Sequence, residues 1–150
     1  MKRLSRRCKY ALRALYRLTR EHGAPPQAVV EIANKEKIPR KFLEAILVQL
    51  RNSGIVESHA GKKGGYRLAK SPDIITIGSI VRAIDGPLAP LACASESAFR
   101  TCEECADKEL CETRLIMKRV RDAMAAVLDH TTLAEACRMT NEEEPVSYDI

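Results

Sequence analysis

Residues 39–68 read PRKFLEAILVQLRNSGIVESHAGKKGGYRL, and this stretch decides the fold. Phe42, Leu43, Ile46, Leu47 and Leu50 recur at helical spacing, which predicts a helix over about Arg40–Asn52 with one apolar stripe. Pro39 suits the entry of that helix, and Ser53-Gly54 closes it with a glycine placed for a left-handed cap. Ile55–Ala60 and Tyr66–Lys70 read as two short strands, joined by Gly61-Lys62-Lys63-Gly64-Gly65 as a hairpin tip.

Upstream, Ser5 can cap a first helix that runs to about Glu21, with Tyr10, Ala11, Ala14, Leu15 and Leu18 at its apolar positions. Pro25-Pro26 breaks the chain, a short helix follows at about Val29–Lys35, and Lys37-Ile38-Pro39 makes a tight turn. Three helices followed by a two-stranded hairpin is the element order of a winged helix. The second and third helices form the helix-turn-helix and the hairpin forms the wing. The fold class expected is mainly α with a small β-hairpin, completed by a long C-terminal dimerisation helix.

Downstream, Thr76 can cap a helix over Ile77–Ile84 that Asp85-Gly86-Pro87 terminates. Residues 87–107 lack periodicity. A long helix is predicted from Glu109 to about Leu128, whose Leu115, Val120, Met124, Val127 and Leu128 form a seam for another helix, here a dimer partner's. Thr132-Leu-Ala-Glu135 has the pattern of a capping box for one last helix. The expected organisation is a reading head over residues 1–70, a sensor and dimerisation region over 71–140, and a mobile acidic tail over 141–150.

Charge divides along the same line. Residues 1–70 hold 17 Lys/Arg against 5 Asp/Glu, and residues 71–150 hold 8 against 15. Clustered cations on the first half gain counterion-release free energy on a phosphate backbone, so double-stranded DNA is the partner the composition suggests. There is no Trp, with two Phe and four Tyr, so the core must be aliphatic. No apolar run is long enough to span a bilayer, and Arg13 and Arg17 interrupt any leader-like segment after the basic N-terminus. A cytoplasmic location follows as an expectation. Six cysteines in that reducing setting suggest metal or redox chemistry more than a structural disulfide framework.

With Leu43, Ile46, Leu47 and Leu50 inward, Arg40, Lys41, Glu44, Ala45 and Val48 of the third helix face out. Arg40 can pair with guanine O6 and N7, and Glu44 can accept from cytosine N4; equally, Glu44 can form a helix salt bridge with Lys41 or Arg40. Lys62, Lys63 and Arg67 on the wing suit phosphate contacts, as do Arg6 and Arg7 near the start of the first helix. Tyr66 reads as a packing residue rather than a base stacker.

Cys93, Cys102, Cys105 and Cys111 give C-x8-C-x2-C-x5-C within nineteen residues. Soft thiolates point to an iron–sulfur cluster or zinc, with a reversible disulfide as the third possibility. The spacing differs from a zinc ribbon, which uses two short C-x2-C pairs. Cys137 and Cys8 stand alone; Cys137 reads as a small buried hydrophobe, and Cys8 as the same or as a thiol activated by Arg6, Arg7 and Lys9.

Leu4-Ser5 through Tyr10-Ala-Leu-Arg-Ala-Leu, Ile38 to Leu50-Arg51-Asn-Ser-Gly-Ile-Val, Gly61-Lys-Lys-Gly-Gly-Tyr-Arg-Leu, Ile77-Gly-Ser-Ile-Val-Arg-Ala-Ile-Asp-Gly-Pro, and Cys111 leading into a long helix together resemble the IscR/NsrR family. The resemblance runs from about residue 4 to 138. It implies a bacterial winged-helix regulator, homodimeric through the long helix, which holds a 2Fe–2S or 4Fe–4S iron–sulfur cluster and binds operator DNA. By position, Cys105 and Cys111 match the last two of the family's three loop cysteines, and either Cys93 or Cys102 supplies the first. Some members use a His three residues after the last cysteine, where this chain has Arg114; others use an acidic residue near the position of Lys9, and an ammonium cannot ligate iron. Two routes to a fourth ligand remain, a fourth loop cysteine or Cys8 reaching across the dimer. Ala60 stands where members often place an Arg before the first wing glycine.

The resulting expectation is a transcriptional regulator that senses redox state, nitric oxide or iron–sulfur status through its cysteines. A clusterless regulator controlled by thiol chemistry or by a protein partner is the alternative. An enzyme lacks support, since no nucleotide-binding glycine motif or general acid/base pair is present.

Overall fold

A computed structural model describes residues 4–105, 107 and 109–142, the last two by backbone only. In chain order the elements are α1 (Arg6–Arg20), α2 (Val29–Glu36), α3 (Arg40–Asn52), β1 (Val56–His59), β2 (Gly65–Leu68), α4 (Ile77–Asp85), a 3-10 turn at Ala92–Ala94, α5 (Glu112–His130) and α6 (Leu133–Glu142). This is the mainly helical winged-helix arrangement read from the sequence, with residues 143–150 of the expected tail outside the described residues. Asn141 and Glu142, placed in that tail by the sequence reading, instead continue α6.

The centre of the molecule is α1. Its Cys8, Ala11, Leu12, Ala14, Leu15 and Leu18 are buried, and the small side chains let α2, α3, α4 and α6 approach it. Ser5 caps the helix: its hydroxyl accepts from the Cys8 N–H at 2.9 Å. The Asp85 carboxylate at the end of α4 completes the cap, accepting from Ser5 N at 2.9 Å and from Ser5 Oγ at 2.5 Å. A carboxylate there offsets the unfavourable placement of Arg6 and Arg7 in the first turn of α1, where the helix dipole disfavours cations.

Leu43, Ile46, Leu47 and Leu50 of α3 are fully buried, and each contributes roughly 1.5–3 kcal/mol of transfer free energy. Phe42 departs from the expected stripe. It is 51% exposed and meets Tyr10 of α1 edge-on, ring centroids 6.3 Å apart. Its stripe position faces past the edge of α1 rather than into the core. Before α3, Lys37 takes φ 51°, and the Ile38 N–H closes on the Ala33 carbonyl at 2.9 Å to end α2. Pro39 is the cap residue of α3.

β1 and β2 pair antiparallel, Val56 opposite Leu68 and His59 opposite Gly65. A third segment joins them: Gln27 and Tyr66 exchange both backbone hydrogen bonds, at 2.9 and 2.8 Å. This ties the wing to the connection between α1 and α2. Close approach demands glycine at residue 65, where φ is +156° and an added Cβ would overlap the Gln27 carbonyl.

Thr76 caps α4 by accepting from Ser79 N at 3.2 Å, and Thr132 caps α6 by accepting from Glu135 N at 3.1 Å. The two caps lie side by side, since Ile77 N bonds Thr131 O at 2.8 Å and Leu133 N bonds Ile75 O at 2.9 Å. α6 therefore returns to the head and packs on α1, with Leu133 fully buried. One apolar core runs from Cys8 to Leu133 without a break at residue 70.

α5 begins at Glu112 rather than at Glu109. The Asp107 side chain accepts from Glu109 N at 2.8 Å, a local turn that competes with helix. No residue of α5 is fully buried. Of its expected seam, Met124, Val127 and Leu128 line an apolar groove of about 500 Å³ with Leu4, Ile77 and Leu88, while Leu115 is exposed. No helix among the described residues is long and apolar enough to cross a membrane.

Candidate nucleic-acid interface and metal centre

The outward side of α3 carries Arg40, Lys41, Phe42, Ala45 and Val48, all exposed, with Glu44 half-buried beside them. Arg40 Nε donates to Glu44 Oε1 at 2.8 Å, one helical turn apart. Of the two readings of Glu44, the structure contains the salt bridge, and Arg40 would have to exchange that carboxylate for a guanine edge. Lys41, Lys62 and Lys63 are exposed and form no ion pair with the described residues. Arg67 is engaged differently. Its Nε donates to Glu57 Oε1 at 2.5 Å, and His59 Nε2 reaches the same oxygen at 3.0 Å. These bonds, Arg67's first, hold the Glu57 carboxyl below its ordinary range. Tyr66 is half-buried against the core, as its packing role requires. Arg6 and Arg7 are exposed on the first turn of α1.

The cysteine segment follows α4 and packs its 3-10 turn on α5. Cys93 sits in the 3-10 turn, half-buried; Cys102 is exposed; Cys105 and Cys111 are half-buried, and Cys111 caps α5. A turn closes between Cys102 and Cys105, whose N–H bonds the Cys102 carbonyl at 3.3 Å. Burial, a hydrogen bond with Cys111 and the nearby charges of Cys111, Cys102 and Cys93 push the Cys105 thiol above its ordinary value. The four thiols lie on one segment, and among the described residues no three cysteine, histidine or carboxylate side chains converge tightly enough to hold a metal ion. The donor set is soft and, with four thiols, sufficient in number for a cluster. The residues fit such a group by the chemistry of their thiols, and the loop would have to draw in around it.

Two arginines that sequence reasoning missed fix this loop to α5. Arg114 Nε donates to the Cys93 carbonyl at 2.9 Å and its guanidinium lies over the Phe99 ring. Arg121 Nη1 donates to the Ala94 carbonyl at 2.6 Å, and its Nη2 pairs with Glu96 at 3.1 Å. Arg114 stands where the resemblance puts a ligand histidine; here it holds the backbone of a cysteine instead. The readable signal was their spacing of seven, which puts both on one side of a helix.

Of the two readings of Cys8, the structure contains the buried hydrophobe and not the activated thiol. It is 0% exposed, and burial followed by the Asp85 charge pushes its thiol up to about 11, despite the flanking arginines. As a ligand it would have to leave the core of α1. Cys137 is half-buried, its Sγ directed at the Tyr16 carbonyl at 3.8 Å.

Comparison with known proteins agrees with this architecture. The Rrf2 profile, described as an iron-dependent transcriptional regulator, matches residues 4–139. An rrf2-like HTH-type transcriptional regulator of Rhodobacter capsulatus is 41% identical over 135 residues, spanning 88% of this chain and 90% of the relative. The HTH-type regulator CymR of Bacillus subtilis is 34% identical over 142 residues, 95% of this chain and 94% of its own. A solved CymR structure, described as the global cysteine regulator of that organism, superposes with a TM-score of 0.76 at 32% identity over 93% of this chain and 98% of that one. IscR of Erwinia tasmaniensis is 28% identical over 142 residues, 95% of this chain and 81% of its own. With its three-helix head, glycine-tipped hairpin and long α5 all inside the matched span, the chain belongs to the Rrf2 family of DNA-binding transcriptional regulators.

Proposed function

We propose that this regulator binds operator DNA as a homodimer and that its cysteine loop, holding an iron–sulfur cluster, sets the affinity. Cys93, Cys102, Cys105 and Cys111 would be the ligands. When bound, the group supplies one-electron redox chemistry and reactivity towards oxidants and nitric oxide. What supports the reading is the concentration of four cysteines between Cys93 and Cys111, on a segment that Arg114 and Arg121 of α5 hold by hydrogen bonds. The chain's own residues do the rest. Arg40 and Lys41 meet base edges and phosphates, Lys62, Lys63 and Arg67 grip the backbone from the wing, and Arg6 and Arg7 add to the field. The apolar side of α5 and its groove would be covered by the partner's long helix. A cytoplasmic location fits an oxygen-protected cluster.

The Cys105–Cys111 thiol contact favours a second reading, in which a reversible disulfide replaces the cluster. Anaerobic purification with iron, zinc and acid-labile sulfide analysis separates the two, followed by Cys→Ala variants at each loop position. Iron and sulfide in equal amounts, lost in the Cys105 and Cys111 variants, support the cluster. Colourless, metal-free protein whose operator affinity responds fully to diamide supports the disulfide. Retention of a full cluster in both the Cys93→Ala and Cys102→Ala variants would refute the four-thiolate ligand set.

A further inference from the structure

A series of directional contacts runs from the cysteine loop to the reading helix. At the loop, Arg114 holds the Cys93 carbonyl and Arg121 holds the Ala94 carbonyl. Fifteen residues beyond Arg114 along α5, about 22 Å at 1.5 Å per residue, Asp129 receives both arms of Arg82 on α4, at 2.5 and 2.9 Å. The adjacent residue, Ala83, presents its carbonyl to Gln49 Nε2 on α3 at 2.6 Å. Gln49 Oε1 is buried with no partner among the described residues, so the Ala83 carbonyl alone orients that amide.

The joint between α5 and α4 is shaped for this purpose. Asp129 rests against Gly78, where an added Cβ would overlap its Oδ1 and crowd Arg82 Nη1. Gly78 lies inside a helix, where glycine costs about 1 kcal/mol relative to alanine. Its presence secures the seat of the carboxylate at the expense of helix stability.

We propose that Arg114, Arg121, Asp129, Arg82 and Gln49 form a polar linkage that carries the state of the cysteine loop to α3 within a single protomer. The proposal rests on the sensing role assigned to that loop. When Cys93 changes its bonding partner, its own backbone carbonyl shifts, and Arg114 must follow or release it. A helix moves as a unit, so the displacement reaches Asp129. A bidentate pair held in a shaped seat has discrete arrangements rather than a continuum, which is what a switch between two affinities requires. Arg82 and Ala83 then move together, and Gln49 turns the helix that faces DNA.

Operator dissociation constants measured on the full-length protein in two sensor states test this. The states are cluster-loaded against cluster-free, and dithiothreitol-reduced against diamide-oxidised. Gly78→Ala displaces the carboxylate while keeping every charge and improving the helix; Asp129→Asn weakens the pair without crowding it. Both variants are expected to reduce the affinity ratio between states at least threefold, with Gly78→Ala showing no loss of melting temperature. Their combination should lose no more than either alone, because they interrupt one linkage. A ratio within twofold of the parent in both variants overturns the linkage and leaves the sensing role intact. A parent protein whose affinity is the same in both pairs of states overturns the sensing role and the linkage together.

Discussion

Replacing Gly65 by alanine should detach the wing from the head. Residue 65 adopts φ +156°, and the new Cβ would overlap the Gln27 carbonyl, a backbone atom that cannot rotate away. Relief requires the Gln27–Tyr66 bridge to open, losing its two hydrogen bonds of 2.9 and 2.8 Å. At about 1 kcal/mol net for each bond and roughly 1–3 kcal/mol for strained backbone, the cost is about 3–5 kcal/mol. A chain of this length loses roughly 2–4 °C per kcal/mol, so scanning calorimetry should record a fall of roughly 6–20 °C. Gly61→Ala is the control. Its φ is also positive, at +105°, but an added Cβ meets nothing within 4 Å, so only the strain term applies. Fluorescence anisotropy with operator DNA gives the second readout, since Lys62 and Lys63 leave their positions in the Gly65 variant alone. Equal melting temperatures for the two variants would refute the reasoning, because they differ only in the crowding against Gln27.

Other expectations follow from single sites. Lys62→Ala and Lys63→Ala should each lower the slope of log affinity against log salt by about 0.9 if each lysine neutralises one phosphate, whereas Arg40→Ala should cost about 1–3 kcal/mol on the preferred operator and relax sequence choice. Because the Cys8 thiol is pushed from 9.0 up to about 11, the folded state retains a proton that the unfolded chain releases. Stability from this group is full below pH 9 and falls as pH rises towards 11; denaturation of Cys8→Ala alongside the parent should show a smaller loss over that window. Lys37→Gly should stabilise the protein by up to about 1 kcal/mol, because it relieves a side chain held at φ 51°, and urea titration would detect it.

The parts of this molecule legible in the sequence are those governed by neighbours along the chain. Helical spacing located α1, α3 and α4, and Ser5, Thr76 and Thr132 were readable as caps because a hydroxyl two or three residues ahead of an amide is a local geometry. Phe42 was misplaced because periodicity gives the angular position of a residue but not the width of the face that its partner covers. Cys8 could not be decided between a buried hydrophobe and an activated thiol from its neighbours along the chain, and the structure contains the first. Three basic neighbours in sequence argue for activation, yet the solvent-free packing of α1 and Asp85, 77 residues away, decide its charge. The clustering of four cysteines between residues 93 and 111 was legible from spacing alone. The arginines that hold the loop, and the glycine beneath Asp129, acquire their meaning only from contacts between distant segments.

The grip of Asp85 on the first turn of α1, together with the return of α6 across the back of that helix, bears on how such regulators can be recombined. A chimera cut at residue 70 and fused to a foreign sensor would deprive the cap of α1 of Asp85 and strip α4 and α6 from the faces of α1 on which they pack. Exchange of sensing chemistry is therefore confined to the stretch between Leu88, the last core residue before the loop, and the start of α5. Diversification of signal, on this architecture, proceeds by loop replacement rather than by shuffling of folding units.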